Sequence, residues 1–231
     1  MSSYLVKIGG SLIPDYILRI FQALKGCSAQ DCHKVYLFPG GGEFADLIRK
    51  YRDNYSLSDI ATHKMALASL DQNAYLIADI CKCQCINSLR GLNRIKKYPV
   101  VIAPYSFLIH NNCFLSYDLN IDIFSSDSSA IYVSHLLKAQ LIVATDVDGV
   151  YKKDPRRENE KQELLRDIRA HILAGIKRGG PLDETLPKLI NKYRVLTWVI
   201  NGKHPERLKR LISDNILNIG TVIRPDKIKC D

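Results

Sequence analysis

The sequence lacks the features by which membrane and secreted proteins are usually identified. No segment approaches the roughly 20 consecutive apolar residues that a membrane-spanning helix needs. The N-terminal MSSYLVKIGGSL meets two glycines before any long apolar run, so it has no recognisable secretory signal. The cysteines number seven, an odd count that does not suit a framework of disulfides. We therefore expect a cytoplasmic protein with no membrane partner.

Common signatures of nucleotide and nucleic-acid binding are also missing. The sequence contains neither the P-loop pattern G-x-x-x-x-G-K-[ST] nor the dinucleotide pattern G-x-G-x-x-G. It has no RNP motif, no zinc-finger spacing and no basic stripe interleaved with aromatic residues. The formal net charge is +9, and most of the excess lies after residue 150. We interpret it as a solvated basic surface that also suits a nucleotide and a phosphorylated small molecule, and we expect no nucleic-acid partner.

Three cysteines, Cys81, Cys83 and Cys85, alternate in the segment CKCQC. This density suggests a metal cluster, but the usual two-residue spacing and a nearby second pair are both absent. Alternation also suits one face of a strand, where cysteine packs as a small apolar residue. We favour structural packing and assign no metal ligands in this chain.

What the sequence does have is an alternation of short apolar strands with amphipathic helical stretches. Its 231 residues, 46% of them hydrophobic and 25% charged, suffice for one large domain. The predicted strands are Tyr4–Ile8, Val35–Phe38, Val100–Ala103, Leu141–Ala144, Thr197–Ile200 and Thr221–Ile223. Helices are predicted from Pro14, over Glu43–Tyr51, over Asp59–Ile80, from Ser126 or Ser128 to Leu137, over Asp183–Tyr193 and over Pro205–Leu211. This order predicts an α/β fold, a three-layer αβα sandwich around a mainly parallel sheet.

Two of these helices carry expectations about their buried sides. In the helix over Glu43–Tyr51, the core side should hold Phe44, Leu47 and Ile48. The helix over Asp59–Ile80 should be capped by Ser58 and bury Ala61, Met65, Ala68 and Leu76. Among the connections, a mobile loop is expected at Lys152–Gln162 and a tight turn at Arg178–Pro181.

Four segments contain residues suited to ligand binding or catalysis, and all lie at strand ends or helix starts: VKIGGS, FPGGGEF, SSDSSA and ATDVDGVY. The carboxyl ends of parallel strands meet at one sheet edge, so these segments should line one crevice. Gly9, Gly10 and Ser11 follow one strand, and Gly40–Gly42 follow another. Glycine lets backbone N–H groups approach a phosphate closely. One glycine turn is weak evidence, but two such turns after buried strands indicate phosphate binding.

Charged residues stand beside these turns. Lys7 lies inside an apolar strand, where it needs an anionic partner unless it reaches solvent at a sheet edge. Its place just before Gly9 favours a phosphate contact. Asp146 and Asp148 follow another strand and would position a nucleotide, hold Mg2+ or orient lysines, although Asp-Gly is also an ordinary turn.

Taken in order, VKIGGS, PGGG, the Ser-Asp-Ser segment and ATDVDGVY-x-x-DP resemble the amino-acid-kinase superfamily. The resemblance runs from Lys7 to about Gly202. It implies a carbamate-kinase-like single domain over residues 1–231, with the acceptor bound by roughly 1–138 and the nucleotide by roughly 139–231. It also implies a kinase that uses ATP and Mg2+ to phosphorylate a small acceptor, and a homo-oligomer.

The resemblance further implies residue roles. Lys7 and Lys188 would stabilise charge on the transferring phosphoryl group, and Asp127 would hold the lysines in place. Gly40, Gly41 and Gly42 would face the acceptor. The nucleotide-binding positions would be Gly9, Gly10, Ser11, Thr145, Asp146, Val147, Gly149, Tyr151 and Asp154. Around Lys188 the family's Gly-Gly-Met-x-x-Lys-Leu pattern is replaced by Asp-Glu-Thr-Leu-Pro-Lys-Leu.

A narrower resemblance concerns the acceptor. The segments THKMAL, SSDSSAIY, LDETLPKL and VINGKHPERL resemble superfamily members that convert [5-(aminomethyl)furan-3-yl]methyl phosphate to its diphosphate in methanofuran biosynthesis. It assigns His63, Lys64 and Asn201, with His204, to the substrate side. For either histidine taken singly, a helix-surface or hydrogen-bonded polar residue explains its presence as well as substrate contact does. Uridylate, isopentenyl phosphate or acylated amino acid acceptors stay open, as does a non-catalytic nucleotide- or oxyanion-binding protein on this fold.

Overall fold

An eight-stranded sheet forms the centre of the protein in a computed structural model that describes residues 2–30, 33–111, 125–152, 163–176, 182 and 185–227. The strands are β1 (Ser3–Ile8), β2 (Lys34–Pro39), β3 (Cys85–Ile86), β4 (Val100–Ile102), β5 (Gln140–Thr145), β6 (Val150–Tyr151), β7 (Leu164–Leu165), β8 (Asp167–Arg169), β9 (Thr197–Asn201) and β10 (Thr221–Arg224). The sheet order is β3-β4-β2-β1-β5-β9-β10-β8, and β6 and β7 form a separate antiparallel pair.

The large sheet is mainly parallel, as predicted. Six neighbouring pairs run parallel, including β1 with both β2 and β5. The exception is the antiparallel β9–β10 pair; because β8 pairs parallel with β10, both β8 and β10 run opposite to the other six strands. The central strands β1, β2, β5 and β9 therefore all end at the same edge.

Helices cover both faces of the sheet and complete the three-layer αβα fold. They are α1 (Ile17–Gln30), α2 (Gly42–Tyr55), α3 (Asp59–Cys81), α4 (Pro104–His110), α5 (Ser126–Leu136), α6 (Ala170–Gly175), α7 (Leu186–Tyr193) and α8 (Pro205–Asp214). One core cluster packs α1 and α8 against Tyr4, Val6 and Ile8 on one face of the sheet. The other packs α4, α5, α6 and α7 against the opposite face, which includes Leu5 of β1. None of the helices in the described ranges has the length and apolar character needed to cross a bilayer.

The buried sides of α2 and α3 differ from those predicted. In α2 the buried residues are Ala45 and Ile48, whereas Phe44 and Leu47 are 41% and 46% exposed. This helix packs chiefly against α3, so only a narrow stripe is covered. In α3 the predicted Met65 and Leu76 are exposed, and Ala61 and Ala68 are half-buried. The apolar side chains buried there are Leu67, Leu70, Ala74, Ile77 and Cys81.

Helix ends agree with the predictions more closely. The Ser58 hydroxyl accepts a hydrogen bond from the Ala61 N–H at 3.2 Å, which confirms the predicted cap of α3. The cap of α5 is Ser125, not Ser126 or Ser128, because its hydroxyl accepts from the Ser128 N–H at 3.1 Å. The predicted turn at Arg178–Pro181 and nearly all of the loop at Lys152–Gln162 lie outside the described residues.

The three alternating cysteines do not share one strand, so the placement on one strand face was wrong, but they do pack against the core, as favoured. Cys81 ends α3, Lys82 follows in the left-handed region at φ 50°, and Cys85 begins β3. Cys81 is buried, and Cys83 and Cys85 pack against the same core cluster. Burial raises the pKa of Cys81 and Cys85 to about 11 and that of Cys83 to about 12, so all three stay thiols at neutral pH.

Candidate active site

The four chemistry-bearing segments meet at the carboxyl edge of the sheet. The Gly9 N–H donates to the Ala144 carbonyl at 2.8 Å, which joins the end of β1 to that of β5. The Gly40 N–H donates to the Ile8 carbonyl at 2.7 Å, which joins the segment after β2 to β1. These bonds extend the strand pairing past the strand ends, and the segments lie side by side along one edge.

The two glycine segments touch each other. A Cβ atom added to Gly10 would lie 2.5 Å from both the nitrogen and the Cα of Gly42, closer than a carbon atom can approach. Gly41 has φ −74° and ψ −29°, and Gly42 follows with φ 52°. A right-handed residue followed by a left-handed one turns successive N–H groups into a concave, anion-binding surface. The pair of segments therefore has the backbone geometry of a phosphate cradle.

A buried ion pair joins Lys7 of β1 to Asp127 in the first turn of α5. Lys7 Nζ lies 2.6 Å from Asp127 Oδ1, and each side chain is 9% exposed. The alternative in which Lys7 reaches solvent is therefore wrong. A buried charge is tolerated when it is paired, and the partner fixes where the ammonium points. Lys7 also lies two residues before Gly9, at the end of the strand that carries the first glycine segment.

The start of α7 lies against the start of α5. The hydroxyl oxygens of Ser128 and Thr185 are 2.7 Å apart. Lys188 follows Thr185 by three residues in α7 and is exposed. Its helix therefore begins next to Asp127, while its own side chain faces solvent. Of the predicted nucleotide-binding positions, Asp154 lies outside the described residues.

The segment after β5 is held from a distant helix. Asp148 Oδ1 accepts hydrogen bonds from Arg207 Nη1 of α8 at 2.6 Å and from Asn201 Nδ2 at 3.1 Å. Burial alone raises the pKa of this carboxyl, but the two hydrogen bonds and the Arg207 charge outweigh burial and hold the pKa below its ordinary value of 3.8. Burial and the nearby Asp148 charge raise the pKa of Tyr151. The structure thus brings together Asp148, Asn201 and Tyr151, with Arg207 as their cationic partner.

Gly149 in the same segment has no room for a side chain. A Cβ atom there would lie 2.6 Å from the Thr221 hydroxyl of β10. That hydroxyl accepts from the Val150 N–H at 2.8 Å, so β10 fixes the backbone after β5. Thr145, at the end of β5, accepts from the Gly202 N–H through its carbonyl at 2.8 Å. The predicted nucleotide segment is therefore held on two sides, by the Thr221 hydroxyl of β10 and by the N–H of Gly202 after β9.

We expect the Arg207–Asp148 pair to make the free energy of unfolding depend on pH in the acidic range. Because the folded-state pKa of Asp148 is lowered, its stabilising contribution is complete above the unfolded-state pKa and is lost as the pH falls through the folded-state value. The difference in free energy of unfolding between the wild type and Arg207→Met should be constant near neutral pH and shrink below about pH 4. Urea denaturation at a series of pH values measures it. A constant difference down to about pH 2 would show that the pair does not couple to protonation.

The residues of the narrower resemblance fall into two groups. His63 and Lys64 lie on the first turns of α3, His63 half-buried with its pKa lowered by burial, and Lys64 exposed. Asn201 instead ends β9 beside Asp148, and His204 follows at the start of α8, with Nδ1 3.4 Å from Glu206 Oε1. The structure therefore does not bring Asn201 and His204 together with His63 and Lys64 on one element.

Sequence reasoning missed Arg207 and two buried polar residues of α3. Asn73 Nδ2 donates to the carbonyls of Gly40 and Gly41 at 2.8 and 2.9 Å. Asp71 accepts from the N–H groups of Tyr105 and Ser106 at 2.8 and 3.0 Å and so caps α4. One signal was available: both residues interrupt an apolar stripe of a long helix, where an unpaired polar side chain is costly.

Comparison with known proteins agrees with this arrangement. Residues 3–189 match the amino acid kinase family. The chain is 32% identical over 227 residues to the [5-(aminomethyl)furan-3-yl]methyl phosphate kinase of Methanocaldococcus jannaschii, covering 97% of this chain and 100% of that one. It is 34% identical over 152 residues to the isopentenyl phosphate kinase of Thermoplasma acidophilum, covering 60% of each chain. The crystal structure of uridylate kinase from Archaeoglobus fulgidus has the same fold, with a TM-score of 0.70 and 21% identity over 96% of this chain and all of that one. The chain belongs to the amino acid kinase family and is an ATP-dependent phosphotransferase.

Proposed function

We propose that the protein transfers the terminal phosphoryl group of ATP to the phosphate of [5-(aminomethyl)furan-3-yl]methyl phosphate and releases the diphosphate. The observation that carries this acceptor is similarity along the whole chain: the M. jannaschii kinase for that compound matches 97% of this sequence and is itself matched completely. The isopentenyl phosphate kinase matches only 60% of the chain. Both names describe a phosphorylated acceptor, so the coarser proposal of a phosphate acceptor has broader support.

The geometry suits phosphoryl transfer between phosphates. The transition state is loose, and its charge is spread over the transferring oxygens, so catalysis depends on positioning and electrostatic stabilisation. Lys7 supplies a buried cation that Asp127 orients, and the touching segments at Gly10 and Gly42 supply backbone N–H groups. An acceptor phosphate is already ionised near neutral pH, so no strong general base is needed. We propose the same stabilising role for Lys188 beside the phosphates, because its helix begins at the Ser128–Thr185 contact.

The residues present are suited to binding ATP. They are suited to Mg2+ only where the ion is bound mainly by the ATP phosphates. Gly41 and Gly42 have the backbone angles of an anion-binding turn, and a Cβ at Gly10 would collide with Gly42, so the cradle needs glycine at these positions. Within the described part of the chain, no group of three or more His, Cys, Asp or Glu side chains forms a metal site. Mg2+ commonly binds through substrate phosphates and few protein carboxylates. Asp146 and Asp148 are the carboxylates that follow β5, and when bound the ion would neutralise phosphate charge.

The remaining elements of the proposal concern organisation. We propose that residues of roughly 1–138 contact the acceptor and those of roughly 139–231 contact the nucleotide. His63 and Lys64 of α3 belong to the first part and Thr145–Tyr151 to the second. Self-association and a cytoplasmic location stay predictions.

A panel of acceptors tests the proposed reaction. Purified protein with ATP and Mg2+ is given the aminomethylfuran phosphate, isopentenyl phosphate, UMP and an acylated amino acid, and ADP release is measured for each. We expect kcat/KM for the aminomethylfuran phosphate to exceed the others by at least about 100-fold, as binding sites built for one polar substrate discriminate strongly. Preference for another acceptor would overturn the assignment. If the protein bound ATP but released no ADP with any of the acceptors, a non-catalytic binding protein would be favoured.

A further inference from the structure

We propose that Asn73 is a positioning residue that sets the phosphate-binding shape of the Gly40–Gly42 loop before any substrate arrives. The proposal rests on the phosphotransfer function above, because it gives the loop a phosphate to bind. Asn73 lies in the middle of α3 and is 2% exposed. A buried amide of this kind is retained only where its hydrogen bonds are made.

The Asn73 amide uses its two hydrogens on consecutive carbonyls. Its Nδ2 lies 2.8 Å from the Gly40 oxygen and 2.9 Å from the Gly41 oxygen. The side-chain NH2 group has two N–H bonds, so each carbonyl receives one. Both carbonyls consequently point at the same side chain of α3.

This restraint determines where the loop N–H groups point. In a planar trans peptide, the C=O of one residue and the N–H of the next are directed oppositely. The N–H groups of Gly41 and Gly42 therefore point away from Asn73. Gly41 at φ −74° followed by Gly42 at φ 52° is the sequence of backbone angles that makes neighbouring N–H groups converge on an anion.

Three consecutive glycines need such a restraint. Glycine has more backbone freedom than any other residue, so a loop of three would otherwise populate many shapes. Packing contributes on one side, since a Cβ at Gly41 would lie 2.4 Å from the Ala45 Cβ and 3.2 Å from the Ser69 hydroxyl. Packing limits the space available to the loop, whereas hydrogen bonds from Asn73 select the direction of its peptides.

The test separates the loop's anion binding from catalysis. In 15N-labelled protein, the amide signals of Gly41 and Gly42 are followed during titration with inorganic phosphate, and turnover is measured separately with ATP and the preferred acceptor. Asn73→Ala removes both donors, and Asn73→Asp replaces them with acceptors. The matched control is Thr197→Val, which removes a buried hydrogen bond from Thr197 to the Val195 carbonyl at the opposite end of β9 from Asn201.

We expect the wild type and Thr197→Val to give the same saturable shifts of both amide signals. Asn73→Ala should weaken phosphate binding at least about tenfold and lower kcat by about 10- to 100-fold, since small misplacements of positioning groups cost this much. The KM for ATP should change less than kcat. Asn73→Asp should act in the same direction and more strongly; the uncharged Asn73→Ala carries the test if the carboxylate prevents folding.

Two results would overturn the inference. One is a folded Asn73→Ala variant that keeps the wild-type phosphate titration and kcat; the other is a wild type whose Gly41 and Gly42 amide signals do not shift when phosphate is added. The first would mean that packing alone shapes the loop. Failure of the phosphotransfer function is distinguishable, because it would abolish turnover in the wild type with every acceptor and leave the phosphate titration, and its loss in Asn73→Ala, intact; a different preferred acceptor would leave both readouts usable.

Discussion

Replacing Lys7 with alanine should lower kcat by at least about 100-fold while ATP still binds, because removing one pre-positioned group that stabilises transition-state charge typically costs 10²–10³. Lys7 is the buried cation at the end of β1, and Asp127 holds its Nζ at 2.6 Å. The remaining glycine N–H groups would still bind phosphates. Steady-state kinetics give kcat, and titration with a non-hydrolysable ATP analogue gives the dissociation constant.

The design must separate catalysis from folding. Lys7→Ala leaves Asp127 buried and unpaired, which costs about 3–5 kcal/mol in comparable pairs. The double variant Lys7→Met/Asp127→Asn removes both charges, so it should regain much of that stability without regaining turnover. Lys34→Ala is the matched control, since Lys34 begins the adjacent strand β2 opposite Ser3, at the far end from Gly9. Wild-type turnover in a folded Lys7→Ala would refute the catalytic role of Lys7.

The second large effect is expected from Gly10→Ala. The added methyl carbon would lie 2.5 Å from backbone atoms of Gly42, and a clash with backbone cannot be relieved by rotating a side chain. The two glycine segments should separate, with a fall in kcat of about 100-fold, as expected when reacting groups are displaced by about 1 Å. Overpacking of this kind also costs about 1–3 kcal/mol of stability. Kinetics and urea denaturation measure the two effects on one preparation.

Gly26→Ala is the control for this substitution. Gly26 lies inside α1, and a methyl group there would meet only Lys209 Cε at 3.9 Å. Alanine in a helix interior is favoured over glycine by roughly 0.5–1 kcal/mol, so this variant should be slightly more stable and fully active. If Gly10→Ala behaved like Gly26→Ala, the contact between the two glycine segments would have no part in turnover.

Much of the fold was predictable because the pattern of apolar residues is local. Short apolar runs bounded by glycine or proline located β1, β2, β4, β5, β9 and β10 to within two residues. The others were missed: β3, β6 and β7 have two residues each, β8 has a single apolar residue, and α4 and α6 span fewer than two helical turns, too little to show a helical period. The position of β10 was predicted but its antiparallel direction was not, since strand direction depends on how the chain returns to the sheet.

The buried sides of helices were predicted less well, for a definite reason. Apolar periodicity identifies a helix, but neighbouring elements decide which stripe is covered. In α3 the chosen stripe of Met65 and Leu76 is displaced around the helix from the buried Leu70, Ala74 and Ile77. Because α3 packs against α1, α2 and α4 together, its covered surface follows those three neighbours.

For this protein, the sequence by itself determined the alternating α/β order, the family, and the presence of a lysine and two glycine segments at strand ends. Those features depend on residue type and on spacing along the chain. Only the tertiary structure decided that Lys7 meets Asp127, that Gly10 touches Gly42, that Asn73 holds the glycine carbonyls and that Arg207 reaches Asp148. These contacts join residues far apart in the chain, and strand order and helix packing alone bring them within bonding distance.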